Sequence, residues 1–157
     1  CHSIELMRYN RIAKDLNISE ADMANNLMFN ADKVGSKVVS SMSDDGAKLW
    51  FGTTPPDLSL TARARGTDWI YTYLKGFYAD ESRPYGVNNH VLENAAMPDI
   101  LWQLKQDKSE KAFNQDVRDI TNFLDYVGEP VKLIRYDIGI NVLGFLFILF
   151  ILSYLLT

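Results

Sequence analysis

All 16 basic and 20 acidic residues lie at or before Asp137, and the last 20 residues carry no charge. From Ile138 to Leu156 the run IGINVLGFLFILFILSYLL has 14 Leu, Ile, Val or Phe among its 19 residues. At about 1.5 Å per residue it spans roughly 29 Å as a helix, close to the ~30 Å hydrocarbon core of a bilayer. Its insertion is favourable by about 4–8 kcal/mol on transfer scales. A core helix of this composition would need burial on every face. The pattern therefore predicts a transmembrane anchor over 138–157.

Upstream, polar and apolar positions alternate with helical periods. Phe113, Val117, Ile120, Leu124 and Val127 step by 4, 3, 4 and 3, which predicts one apolar face on a helix over 109–127. Gly128 and Pro130 are expected to stop it. Ser19 with Asp22 resembles a capping box and predicts a short helix with Met23 and Leu27 on one side. Asp68 is expected to cap WIYTYLK, and Gly76 to end it. Ile4, Ile12 and Leu16 share a plausible helical face. Residues 35–56 are expected to be loop, with a helix able to begin from Asp57 onward, and residues 77–98 an ordered loop. No segment alternates as a convincing strand. The expectation is a mainly α domain with long loops, followed by a single C-terminal transmembrane helix.

Charge refines this picture. The net charge of −4 argues against nucleic acid as a partner. Residues 1–78 are balanced, with nine acids and nine bases, whereas 79–129 hold ten acids and five bases. The acidic stretch is a solvated surface by default and a docking face for a basic partner if one exists. Lys132 and Arg135 precede the anchor, but Asp125, Glu129 and Asp137 lie beside them, so the positive-inside rule does not orient the chain. Because the sequence opens on Cys1 and closes within an apolar run, it is expected to be a fragment.

A single cysteine leaves no internal disulfide framework and no multi-cysteine zinc site. Cys1-His2 matches the last two letters of the C-x-x-C-H haem attachment motif, in which the cysteines form thioethers and the histidine binds iron. As a dipeptide it is weak evidence. A second axial ligand would come from Met7, Met23, Met28, Met42, Met97 or the rival His90. Met97 is distinguished by the following Pro98, which restricts its backbone; the bland alternative for any methionine is core packing. Arg63 and Arg65 are either surface charges or partners for a haem propionate.

With these features in place, PPDLSLTARARGTDWIYTYLKGFY at 55–78 resembles the signature segment of the cytochrome c1 family, the haem subunits of ubiquinol–cytochrome c reductase. CHS at the start, AAMPDI at 95–100, GEP at 128–130 and the single anchor occur in the same order. The resemblance implies a c-type haem domain over 1–130 lacking its first haem cysteine, a juxtamembrane linker over 131–137 and the anchor over 138–157. It implies one covalently attached haem c, with Cys1 as a thioether, His2 and Met97 as axial iron ligands, Arg65 at a propionate and Trp69 near the haem. It further implies one-electron transfer from a Rieske iron–sulfur protein to a soluble or tethered cytochrome c, with no substrate chemistry at this subunit. Cytochrome b is the other expected partner, in a dimeric complex. The haem domain is expected on the periplasmic side of a bacterial inner membrane, equivalent to the mitochondrial intermembrane-space side. The short stretch between CHS and PPDLS favours the bacterial setting. The alternatives are another membrane-tethered c-type cytochrome, such as an oxidase subunit, and a haem-free tethered interaction domain.

Overall fold

A computed structural model describes residues 1–156, apart from the side chain of Leu133. Thr157, the last residue of the expected anchor, lies outside the described residues. The chain begins with β1 (Ile4–Arg8), α1 (Tyr9–Asp15), α2 (Glu20–Asn26), β2 (Lys37–Val38) and α3 (Asp44–Phe51). It continues through α4 (Thr61–Arg65), α5 (Thr67–Lys75), β3 (Phe77–Ala79) and β4 (Val87–Asn89). Then come α6 (Trp102–Asp107), α7 (Glu110–Gly128) and α8 (Lys132–Leu155). The molecule is mainly helical.

The long helix α7 is the column around which the domain is built. Ser109 caps it by accepting a hydrogen bond from the Ala112 amide, as serine does at an N-cap. Val127 joins Ile4, Met7, Tyr9, Ile12, Ala13 and Met23 in one buried cluster. Leu124 packs with Ala62 and Ile70, and Phe113 and Val117 pack with Leu101. One face of one helix thus touches three clusters in sequence. Ile120, expected on that face, is 36% exposed, and Thr121 is buried in its place. The Thr121 hydroxyl donates back to the Val117 carbonyl at 2.8 Å, so its burial leaves no unpaired donor. Gly128 is the last residue of α7 as well as its stop. A Cβ there would lie 3.2 Å from Arg63 Cγ and 3.8 Å from Ala62 Cβ, so glycine permits the close approach of α4.

Four details differ from expectation. Residues 4–8 form a strand rather than part of a helix, paired antiparallel with β2 through an irregular register. Residues 77–79 and 87–89 pair as a second short antiparallel ladder inside the expected loop. These strands run for two to five residues, too few to show a period-2 signature. Helix α3 lies within the expected loop over 35–56; Ser43 caps it and Gly52, in a left-handed conformation, ends it. Finally, Asp68 lies in the first turn of α5 without capping it; Gly66 occupies the cap position.

Helix α8 is one continuous element from Lys132, so most of the expected linker belongs to it. Ile134–Leu155 has a mean hydropathy of 2.4 and is not buried within the protein. At about 1.5 Å per residue its 22 residues reach roughly 33 Å, enough to cross a bilayer. Asn141 donates to the Asp137 carbonyl at 3.0 Å, which lowers the cost of an amide near hydrocarbon.

Replacing Phe113 (4% exposed) with alanine should destabilise the domain by about 3–5 kcal/mol. Ile120→Ala should cost well under half as much. Thermal unfolding of the detergent-solubilised chain checks the contrast.

Candidate functional site

The first six residues are joined to PPDLS by a run of hydrogen bonds. His2 Nδ1 lies 2.7 Å from the Pro56 carbonyl oxygen. A carbonyl only accepts, so the proton sits on Nδ1 and the Nε2 lone pair is free to bind a metal. The Leu58 amide donates to the Ser3 carbonyl at 2.9 Å. The Glu5 amide donates to Asp57 Oδ2 at 2.8 Å, and the Leu6 amide to Ser59 Oγ at 3.1 Å. Asp57 Oδ1 meanwhile accepts from the Ser59 amide at 2.8 Å, the Asx turn expected of aspartate two residues before its partner. Pro55 and Pro56 have no amide to compete for these acceptors. Thr61 then donates to the Leu58 carbonyl as α4 begins.

Cys1 is exposed and free. It lines a cleft of about 110 Å³ with Glu5, Met42, Asp44, Ala47, Pro55 and Asp57. Burial pushes the Asp57 carboxyl upward, but hydrogen bonds from Ser59 and the Glu5 amide, with the nearby His2, outweigh it and hold the group below its ordinary range.

A second grouping is built on α5. Gly66, at φ 89° and ψ 154°, makes the turn between α4 and α5, a conformation that side chains rarely adopt. It brings Arg65 Cζ to 5.2 Å from the Trp69 ring centroid, within cation–π range. Trp69 stacks on Tyr73 at 5.0 Å, and Tyr73 meets Phe77 edge-on at 5.3 Å. Residues 65, 69, 73 and 77 thus form a ladder at intervals of four. Met97 packs, partly buried, against the cluster of Tyr73, Phe77 and Ala95, which Trp69 also borders.

The sequence-predicted residues therefore fall into two groups. Cys1 and His2 stand at the PPDLS loop; Arg65, Trp69 and Met97 stand at the aromatic ladder. The PPDLSLTARAR segment runs between them, and Leu58 packs against both the first and second core clusters. Met7 and Met23 are fully buried core residues, and Met28 packs beside them. His90 stacks on exposed Tyr78 at 4.3 Å. Adjacent strand residues point to opposite faces, so the Tyr78–His90 pair lies on the face opposite buried Phe77 and Met97.

Two residues not anticipated from sequence hold the Met97 loop. Asn89, 1% exposed, donates to the Tyr73 carbonyl and accepts from the Val91 amide, each at 2.8 Å. Asn88 accepts from the Asn94 amide and donates to Asp80, each at 2.9 Å. A pair of asparagines in a polar stretch gives no warning of burial; the only cue is their position after Gly86, where a chain reversal is expected.

The donor set fits a haem. It offers a thiol beside an imidazole whose tautomer is fixed with Nε2 free, a thioether held among aromatic rings, and a guanidinium one helical turn before one of those rings. Among the described residues no cluster of three or more His, Cys, Asp or Glu suggests a protein-only metal site.

The model for the cytochrome C1 family matches residues 42–157. A cytochrome c1 of Allochromatium vinosum is 45% identical, covering 99% of this chain and 75% of that protein. The ammonia monooxygenase gamma subunit of Nitrosomonas europaea is 40% identical, covering 99% of this chain and 74% of that protein. A mitochondrial cytochrome c1 heme protein of Schizosaccharomyces pombe is 34% identical over 65% of this chain and 37% of that protein.

Asp57 should titrate below the ordinary carboxylate value of about 3.9. A group so depressed contributes stability that is present above its unfolded value and is lost as pH falls through its folded value. The Asp57 carboxyl carbon shift should therefore have its midpoint below the ordinary carboxylate value, and the protection of the Glu5 amide should fall with it.

Proposed function

The chain belongs to the cytochrome c1 family, and on that premise we propose that it is the haem-bearing electron carrier of a bc1-type complex, held in the membrane by α8. The observation that carries this reading is the His2 Nδ1–Pro56 hydrogen bond. It fixes the tautomer an iron-binding histidine requires and raises the basicity of the free Nε2. Haem c, when bound, supplies a one-electron iron couple.

In this reading Cys1 would hold a single haem through a thioether, and His2 Nε2 and the Met97 thioether would bind its iron. The restriction that Pro98 places on the preceding residue and the Asn88–Asn89 hydrogen bonds limit how far Met97 can move. A thioether ligand favours the ferrous state and raises the potential relative to a second histidine. Arg65 pairs with a propionate through a charge-assisted hydrogen bond, and Trp69 keeps its guanidinium over the ring. No residue acts as nucleophile or general base.

The electron arrives from a Rieske iron–sulfur protein and leaves to a soluble or tethered cytochrome c, with cytochrome b as neighbour in a dimeric complex. The haem domain faces the periplasm. The acidic excess over 79–129 steers a basic cytochrome c by long-range attraction.

Haem should stay with the protein after extraction with acid acetone. Met97→Leu should keep the haem attached but lower the reduction potential by a sizeable share of the roughly 0.8 V range that axial ligands command; an unchanged potential removes Met97 from the ligand set. Stopped-flow association with a basic cytochrome c should slow about tenfold or more as salt rises from about 10 mM to 150 mM, where the Debye length falls from about 30 to 8 Å.

A further inference from the structure

We propose that Asp57 is a positioning residue for the His2 imidazole, acting through the backbone on both sides of the His2–Pro56 hydrogen bond. The inference rests on the reading of His2 as an iron ligand. One carboxylate grips two strands of chain: Oδ2 accepts the Glu5 amide and Oδ1 the Ser59 amide, both at 2.8 Å. Glu5 follows His2 by three residues, and Pro56 immediately precedes Asp57. The carboxylate therefore sets the spacing between the segment that carries the imidazole and the segment that carries its carbonyl partner.

Ser59 repeats the device one step further on. It is 1% exposed, and its hydroxyl accepts the Leu6 amide at 3.1 Å. Together with the Leu58–Ser3 bond, these contacts bracket a histidine–carbonyl pair that is itself exposed and separated by 54 residues of chain. An exposed hydrogen bond alone is worth little against water. Held in register, it keeps Nδ1–H aimed at Pro56, strengthens Nε2 as a donor and favours ferric iron. Asp57 and Ser59 thus set the reduction potential without contacting the iron.

The test uses the full haem-loaded chain and three variants, Ser59→Ala, Asp57→Asn and Asp57→Ala. Ser59→Ala changes no charge, so it separates positioning from electrostatics. The hyperfine-shifted His2 Nδ1 proton should exchange with solvent about tenfold faster in Ser59→Ala and Asp57→Ala, and the potential of both should rise. Asp57→Asn, which keeps an oxygen acceptor, should speed exchange less than Asp57→Ala. Two outcomes would overturn the inference: Ser59→Ala matching wild type in exchange and potential, or both Asp57 variants raising the potential equally with exchange unchanged. Should Asp57→Ala fail to fold, Ser59→Ala decides alone. Absence of a hyperfine-shifted His2 resonance in the wild type would instead overturn the ligand assignment beneath it.

Discussion

The suture between residues 2–6 and 56–59 is the contact on which the site depends. One of its bonds joins backbone to backbone, from the Leu58 amide to the Ser3 carbonyl; in the others the His2 imidazole meets a backbone carbonyl, and Asp57 and Ser59 supply acceptors that a regular strand would have provided. Two prolines fix the backbone of one side and offer no competing donors. The same segment then starts α4, inserts Leu58 against two core clusters, and leads through Gly66 to the Arg65–Trp69 contact. Displacing it would disturb the imidazole, the guanidinium and the packing beneath both.

Helix α7 provides the rigid support. It meets the β1–α1–α2 cluster near its C-terminus and the α6 side near its N-terminus, so the two halves of the domain keep a common frame. The turn after α7 is short and ends in the membrane helix. Lys132 pairs with Asp125 and Arg135 with Glu129 across it. These ion pairs are partly exposed and contribute little stability singly. Their effect is to direct the juxtamembrane cations onto the domain's own acids, which is consistent with charge counting having failed to orient the chain.

Much of the architecture was legible in sequence because it follows from periodicity over long stretches. The anchor and α7 each extend beyond 18 residues, and Ser19 acts as the cap that its spacing from Asp22 implies. What escaped was short or nonlocal. Helix α3 hid behind DDG, which reads as a turn, although Ser43 was a usable cap. The strands are too brief for alternation, and the partner of β1 lies about 30 residues along the chain. At the site, residue types suggested Cys1, His2 and Met97, and the family resemblance singled out Arg65 and Trp69, but nothing local could reveal that Pro56 meets His2 or that Asn89 is buried. Periodicity does not separate positions 120 and 121, because at about 100° per residue both border the apolar face of α7; the elements packed against the helix decide that Thr121 is covered and Ile120 is not. Asp57 and Ser59 carried a visible turn signature, yet the amides they receive belong to a segment more than 50 residues away.

The central claim is that His2, with its tautomer set by Pro56, binds the iron. The chain has only two histidines, His2 and His90, so the claim can be tested by electron–nuclear double resonance on ferric protein labelled with ¹⁵N-histidine. Strong coupling to one histidine nitrogen is predicted, lost in His2→Ala and unchanged in His90→Gln. Coupling that survives the first substitution and disappears with the second would contradict the account.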